Sequence, residues 1–284
     1  MYHNNSFNIF KNTFKLLTLS FTVGFFFFSC SKTPVPAYIH VASIEVVEGN
    51  VGSASANVED VWVFQRDNVQ GVYEMPVTFP IIAEGPTRLT FQAGVKMNGV
   101  STTRISYPFY SNYNIDLNLE SGKIDTVKPT VTYVPATKIA LIEDFELGNK
   151  FENIERELNP DILFEGNASG RMKINIGDTA VAAFNTSKFS IPFNAASVFV
   201  ELDYKNDKVF NVGLRCYNNN NTKATEVIKV NVTPKSEWNK IYINFTPEIN
   251  NIQADEYELL IQYVEENNTQ PVNIYFDNIK VLYL

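Results

Sequence analysis

Apolar and polar residues alternate in short runs along most of the chain, which is the pattern of half-buried β-strands. The alternation is clearest at 198–204, 241–245 and 257–263. Every second residue in these runs is apolar or aromatic, and the residues between them, such as Glu201 and Asp203, are mostly polar. Each strand is therefore predicted to have one apolar face and one wetter face, as in an antiparallel sandwich.

The N-terminal half has shorter runs of the same kind, rich in Val, Ile, Tyr and Phe and separated by Gly, Pro, Asn and Asp. Strands are predicted at four places: 39–47, 58–64, 88–96 and 115–119. Helical periodicity is hard to find after residue 30. The sequence therefore predicts an all-β protein.

The last apolar run changes register in its middle. Ile274 and Phe276 share one face, whereas the apolar members of 279–283 follow the opposite alternation. A slip of one residue at Asp277-Asn278 reconciles the two parts, and a β-bulge is the usual way to make it. A bulge is therefore predicted at this position.

The first 29 residues have the features of a secretory signal peptide. Residues 1–15 carry Lys11 and Lys15 without an acidic residue, and an apolar run follows at 16–28. This run is too short to span a bilayer comfortably, which takes about 20 residues. A membrane anchor and a buried core helix are the alternatives.

Residues 27–30, Phe-Phe-Ser-Cys, resemble the lipobox of bacterial lipoproteins. The resemblance implies diacylglycerol on the thiol of Cys30 and a further acyl chain, such as palmitate, on its freed amine, which together anchor a protein stably. The triplets at 125–127 and 178–180 resemble the O-glycosylation acceptor of Bacteroidota. We therefore expect a Bacteroidota-type lipoprotein of the cell outer membrane, with the periplasmic face and the cell surface both open.

Length and charge limit the number of domains and the kinds of binding partner. The chain has 284 residues and a net charge of −8, which becomes −10 once residues 1–29 and their two lysines are removed. An acidic surface repels nucleic acid and is not attracted to anionic headgroups, which excludes nucleic-acid and peripheral-membrane binding. The length suits two domains. We expect a lipidated tether at 30–36, a β-sandwich domain at 37–133, a linker at 134–138 and a second sandwich at 139–284.

The first predicted domain resembles the PEGA-type β-sandwiches, which are small Ig-like modules of surface proteins. The resemblance rests on a strand at 60–64, a Gly-containing hairpin with a Pro-punctuated strand at 71–76, and a Gly-marked turn before a strand at 84–91. It implies a spacer or interaction module without catalysis.

The second predicted domain resembles the jelly roll of carbohydrate-binding modules. It opens with an acidic Phe-Glu segment at 142–146, has a Trp that leads a late strand at 236–246, and closes with a strand carrying an Asp at 274–281. The resemblance covers essentially all of this domain and implies a jelly-roll β-sandwich.

The same resemblance implies a structural Ca²⁺ between the first and last strands of the jelly roll, held by carboxylate and carbonyl oxygens. Glu146 and Asp277 are the candidate ligands, with Asp144 in reserve. The alternative is that all three are solvated edge carboxylates or turn formers. No catalytic cofactor is expected.

Aromatic residues provide a candidate binding surface. Four of them cluster near a predicted loop: Tyr107, Phe109, Tyr110 and Tyr113. Two interpretations stay open. The four residues either form an exposed patch that binds a sugar or a protein, or they pack inside a hairpin. Trp62, Trp238 and the lone thiol of Cys216 are predicted to be core residues.

Catalysis has little support in the sequence. His40 is the only histidine after residue 29, and no serine-hydrolase, zinc-protease or phosphate-loop motif occurs. The sequence therefore predicts a non-enzymatic lipoprotein that serves as a binding or accessory subunit of an outer-membrane complex for export, assembly or uptake. Its expected partners are outer-membrane barrel or other envelope proteins. The alternative is a glycan-binding lipoprotein of a polysaccharide-uptake system.

Overall fold

Strands form nearly all the regular structure of the computed structural model, which describes residues 34–218 and 224–284. The predicted signal peptide and Cys30 lie outside the described residues. The strands of the N-terminal half are β1 (Ala37–Val41), β2 (Glu45–Val46), β3 (Asp60–Gln65), β4 (Asn68–Glu74), β5 (Val77–Ile81), β6 (Gly85–Lys96), β7 (Arg104–Ser106), β8 (Tyr113–Leu119), β9 (Ile124–Val127) and β10 (Thr130–Val131).

The C-terminal half adds ten strands and a short helix to the described structure. They are β11 (Lys138–Glu143), β12 (Glu155–Glu157), β13 (Ser169–Ile174), β14 (Ala180–Phe184), β15 (Val198–Asn206), β16 (Phe210–Tyr217), β17 (Thr225–Val232), β18 (Lys235–Asn244), α1 (Thr246–Ile252), β19 (Glu256–Val264) and β20 (Val272–Tyr283). The predicted all-β class is confirmed.

Two sheets of the C-terminal half face each other across an apolar core. One has the order β12-β13-β20-β15-β18, with β11 also paired to β20, and the other has the order β14-β19-β16-β17. The predicted apolar positions of β15, β18 and β19 lie in this core, together with Cys216. This arrangement is the predicted β-sandwich, and Cys216 is confirmed as a core thiol.

The described part of the N-terminal half contains three sheets, of five, three and two strands. The largest has the order β4-β3-β6, with β7 and β8 both beside the long strand β6. A second sheet has the order β5-β1-β9, in which β1 is antiparallel to β5 and parallel to β9. Strands β2 and β10 form a parallel pair. Val61, Val63, Leu89 and Phe91 fill the space between the first two sheets with a second apolar core.

The predicted bulge in the last strand is confirmed. In the pairing of β15 with β20, Glu201 is opposite Lys280 and Asp203 is opposite Asp277, so that Leu202 faces two residues of β20. Asn278 has a positive φ of 47°, which is the local cause of the kink. The bulge allows apolar residues on both sides of it to reach the same core.

The two halves are packed together more closely than the sequence predicts. Residues Ala37 to Leu284 form one compact unit, and the N-terminal core includes three side chains of the C-terminal half: Phe199, Tyr242 and Leu282. These residues lie on the outer face of the six-stranded sheet. The predicted division at 134–138 would mean that the two halves fold independently, and this stays a prediction.

Because of this packing, the polar face of β15 is buried and not exposed to water as predicted. Glu201 and Asp203 alternate with core residues, as expected for a face exposed to water, but both are at most 1 % exposed. The N-terminal half covers them. A period of two identifies which residues share a face, but it does not reveal that another part of the chain covers the polar face.

Candidate functional site

The outer face of the four-stranded sheet contains a row of three amide side chains. Gln262 on β19 is opposite Asn211 on β16, and Asn211 is opposite Asn231 on β17. Asn231 is exposed, and the other two are half-buried. Within the described part of the chain, these three side chains form no hydrogen bond. We call them the amide row, because their amide groups are available to another molecule.

An apolar row lies beside the amide row, two residues away on β16 and β19 and three on β17, where the pairing has a bulge. Phe184 on β14 is opposite Leu260, which is opposite Gly213, which is opposite Ile228. A Cβ on Gly213 would lie 2.3 Å from the carbonyl oxygen of Val227, so only glycine fits at this bulge. The half-buried ring of Phe184 is the aromatic member of this apolar row.

A third row is ionic, and its charges are already paired. Arg215 donates to Glu226 from Nε at 2.9 Å and from Nη2 at 2.7 Å, and its Nη1 lies 3.7 Å from Glu258. The same guanidinium lies 3.3 Å from the centroid of the Phe184 ring. The Tyr217 hydroxyl donates to Glu258 at 2.7 Å, and burial together with this bond raises the pKa of Tyr217. The amide row is therefore the part of the face that lacks partners.

The amide row was missed by the sequence analysis. Asn211, Asn231 and Gln262 are visible in the sequence only as polar members of alternating runs. Their alignment depends on the register of three strands, including the bulge between Val212 and Gly213. No local pattern specifies that register.

The aromatic cluster of the sequence analysis is mostly core. Tyr107, Phe109 and Tyr110 are at most 5 % exposed, and only Tyr113 is half-buried. The Tyr107 ring packs edge-on against Phe199, at 5.3 Å between centroids. The exposed-patch interpretation is wrong for these three residues, because the second half of the chain covers them.

The buried tyrosines bind a buried carboxylate between the two halves. The hydroxyls of Tyr107 and Tyr133 donate to the two oxygens of Glu201, at 2.6 and 2.8 Å. Lys240 lies 3.4 Å from Glu201 and 3.5 Å from Asp203. We call these five residues the interface network, and its role in the described structure is to join the halves.

Trp62 and Trp238 differ from their predicted positions. Trp238 is half-buried, donates from Nε1 to the carbonyl of Ile162 at 2.9 Å and packs against Phe164. Trp62 lies on the outer face of its sheet, because its neighbours Val61 and Val63 point into the core. The core prediction is therefore wrong for Trp62.

The structure brings the predicted calcium ligands to one cavity. Five carboxylates line a cavity of about 630 Å³ together with serine and glycine residues: Glu48, Asp144, Glu146, Glu165 and Asp277. Among the described residues, no group of three or more His, Cys, Asp or Glu side chains is arranged to hold a metal ion. The calcium prediction stays a prediction.

Both predicted ligands already accept hydrogen bonds. Glu146 accepts from the backbone of Asn167 and Ala168 and from the Asn167 amide, and the bonds from Asn167 lower the pKa of Glu146. Gly166 leaves room for this carboxylate, since a Cβ there would overlap Glu146. Asp277 accepts from the Ser169 hydroxyl at 2.7 Å. A calcium ion would have to replace some of these bonds.

The calcium hypothesis predicts a metal-dependent melting temperature. A hundredfold excess of calcium over its Kd stabilises the native state by about 2.7 kcal/mol. Calcium at pH 8 should then raise the melting temperature of the protein by several degrees relative to chelator, and Asp277→Asn should abolish the difference. The exposed strand residue Asp116 offers the control Asp116→Asn. Wild-type melting that is the same in calcium and in chelator would rule the ion out.

Comparisons with known proteins concern the fold. No protein-family model matches the chain, and no curated protein matches it. Solved structures that match include a family 11 carbohydrate-binding module from Clostridium thermocellum in complex with a β-1,3-1,4-mixed-linked tetrasaccharide. It is 13 % identical, with a TM-score of 0.37 over 51 % of this chain and 94 % of that one.

Two further matches are of the same kind. TmCBM61, in complex with β-1,4-galactotriose, is 14 % identical with a TM-score of 0.35, over 52 % of this chain and 99 % of that one. A structure from a study of the specificity of β-sandwich carbohydrate-binding modules is 12 % identical with a TM-score of 0.35, over 79 % and 85 %. These low values give no information on what this chain binds.

Within the described residues, no helical segment has the length and hydropathy needed to cross a bilayer. The lipid anchor at Cys30 stays a prediction from residues 27–30.

Proposed function

We propose that this protein is a non-catalytic glycan-binding protein and that the amide row is its binding site. The observation that supports the proposal is the alignment of Gln262, Asn211 and Asn231 across three strands with their amide groups free of protein partners. Free amides on an open sheet face are suited to a ligand that offers many hydroxyl groups.

The chemistry of the face matches a sugar in two respects. Each amide pairs a donor with an acceptor, and neighbouring hydroxyls of a pyranose present the same pair in return. The ring of Phe184 lies in the next row, and the part of it that the Arg215 guanidinium leaves uncovered can contact the C–H groups of a sugar. The row from Gln262 to Asn231 spans two strand spacings, or about 10 Å, which is the length of about two sugar units.

The carboxylates of this face argue for binding without hydrolysis. A glycosidase needs two carboxyl groups free to exchange protons on either side of a bond. Glu226 and Glu258 are held by Arg215 and Tyr217, and Glu256 lies 3.6 Å from the Lys188 ammonium. All three are thus engaged by a cation or a hydroxyl of the chain, which supports a role in binding.

Removing amides from the row is expected to weaken glycan binding at least tenfold. Calorimetric titration of the wild type and of the double variant, which carries both Asn211→Ala and Gln262→Ala, tests this expectation. Each lost amide removes hydrogen bonds worth about 1 kcal/mol. The glycan panel should include the mixed-linked tetrasaccharide and β-1,4-galactotriose. Asn118→Ala is the matched control, since Asn118 is an exposed asparagine on a strand of the other half. A panel without any ligand, or equal affinity of the row variant, would contradict the proposal.

The location and the partners of the protein are part of the proposal. Lipid at Cys30 would hold this face at the outer membrane, where glycans are captured for uptake. The other predicted role, as an accessory subunit of an outer-membrane complex, stays a prediction, and no feature of the described residues favours it over glycan binding.

A further inference from the structure

The indole of Trp62 leans across the outer face of the N-terminal sheet towards the neighbouring strand β6. A Cβ added to Gly94, on that strand, would lie 2.9 Å from both Cδ1 and Nε1 of the indole. The Cδ1–Nε1 edge of the ring therefore occupies the place that a side chain at position 94 would take. The rest of the side chain is partly exposed.

Two polar atoms beside the ring lack partners. Nε1 of Trp62 and Oδ2 of Asp60 are buried and have no hydrogen-bond partner among the described residues. Both side chains approach the same point above Gly94, since a Cβ there would also lie 2.7 Å from Cβ of Asp60. One atom is a donor and the other an acceptor. Buried polar atoms in folded proteins nearly always have a partner, so a molecule from outside the chain is expected to bind them.

The surroundings limit the charge of that molecule. Asp60 is ion-paired through Oδ1 with Arg104, which also lies 3.5 Å from Glu74. Along the rest of the face, side chains pair with one another: Ser106 donates to Gln92 at 2.8 Å, and Thr90 donates to Asn114 at 2.7 Å. Glu59 also lies near Arg104 and pairs with Lys96, so three carboxylates face two cations, and this excess of negative charge disfavours an acidic ligand.

We infer that the face around Trp62 is a second glycan-binding site, which takes a neutral pyranose. The sugar packs its C–H face on the exposed side of the Trp62 indole. One of its hydroxyls displaces the side chains that cover the two buried atoms, accepts from Nε1 of Trp62 and donates to Oδ2 of Asp60. A hydroxyl is suited to this place because a single oxygen both accepts and donates.

The second site is independent of the amide row. It lies on the sheet formed by β3, β4 and β6, whereas the amide row lies on β19, β16 and β17. A chain with both sites would bind a polysaccharide at two points, which raises the apparent affinity without new contacts. The two sites can therefore be removed separately.

Tryptophan fluorescence tests the inference directly. The chain has two tryptophans, so Trp238→Phe leaves Trp62 as the only one. The probes are cellotetraose, xylotetraose and mannotetraose, with a galacturonic acid tetramer as the acidic comparison. We expect at least one neutral probe to change the Trp62 emission saturably, and the acidic tetramer to have no effect.

Variants separate the second site from the amide row and from a folding defect. Because the Trp62 variants lack the fluorophore, calorimetric titration measures them: Trp62→Ala should weaken the binding of that probe at least tenfold, and Trp62→Phe, which keeps a ring but removes the N–H, should weaken it by a smaller factor. Asn211→Ala with Gln262→Ala should leave the fluorescence titration unchanged, whether or not the amide row itself binds glycans. The absence of a saturable change with any neutral probe would overturn the inference. So would folded Trp62→Phe and Trp62→Ala variants that bind the probe with the same affinity as each other. In that case a bound water is the partner of the two atoms.

Discussion

Replacing Lys240 with methionine is expected to lower the free energy of unfolding by about 3–5 kcal/mol. The ammonium lies 3.4 Å from Glu201 and 3.5 Å from Asp203, and all three side chains are buried. Methionine has a similar volume but no charge, so the two carboxylates would stay buried without their cation. An uncompensated buried charge is what makes such a substitution strongly destabilising.

The charge state of Lys240 supports this expectation. Burial alone would lower the pKa of Lys240, but the carboxylates of Asp203 and Glu201 outweigh it and raise the pKa above its usual value. The lysine is therefore charged in the folded protein. Adding Glu201→Gln to Lys240→Met should recover part of the loss, because one of the two unpaired charges is then removed.

Urea denaturation at pH 7 measures the effect. Lys123→Met is the matched control, since the ammonium of Lys123 pairs with Glu120 at 2.5 Å on the surface and its side chain is 65 % exposed. Surface pairs contribute about 0–1 kcal/mol, so the control should differ little from wild type. A loss below about 1 kcal/mol for Lys240→Met would mean that water reaches the interface network.

The interface network also links the stabilities of the two halves. Tyr107 and Tyr133 come from the N-terminal half, whereas Glu201, Asp203 and Lys240 come from the C-terminal half. Neither half can keep its polar groups satisfied without the other. We therefore attribute the close packing of the halves to this network as well as to the apolar contacts of Phe199 and its neighbours.

Strand faces were predictable because they depend on local chemistry alone. A period of two placed Cys216 in the core, and the broken period after Phe276 located the bulge at Asp277-Asn278. Both inferences need only a few neighbouring residues. The same rule also gives the position of Trp62, since a residue between Val61 and Val63 must point away from them. The core prediction for Trp62 followed hydrophobicity where the alternation was the better guide.

The rest was not predictable because it depends on distant parts of the chain. Glu201 stands at a position where the alternation predicts contact with water. Its burial depends on the hydroxyls of two tyrosines, 68 and 94 positions away, and on the ammonium of Lys240. The amide row likewise exists only when three strands pair in one register. Local sequence contains no information on either contact.

Raising the pH from 4 to 8 is expected to lower the free energy of unfolding by about 4 kcal/mol, because Asp277 loses its proton in the folded protein. Burial raises the pKa of this carboxyl to about 7, and the nearby carboxylates of Glu165 and Asp203 add to the shift, against the bonds from Ser169 and Asn278. In the unfolded chain an aspartate titrates near about 3.9. Between these two values the folded state holds a proton that the unfolded state has lost.

The sign of this effect is opposite to that of a salt-bridged aspartate. Because the folded state binds more protons from about pH 4 to 7, stability falls as the pH rises through this range. Asp277→Asn keeps the shape and an acceptor for the Asn278 N–H but has no proton to lose. The variant should match wild type near pH 4 and be more stable than wild type at pH 8. Denaturation of both proteins in chelator across this range measures the difference, and Asp116→Asn is the control. A difference between wild type and Asp277→Asn that stays constant from pH 4 to 8 would show that Asp277 is ionised in the folded protein, with a cation or water compensating its charge.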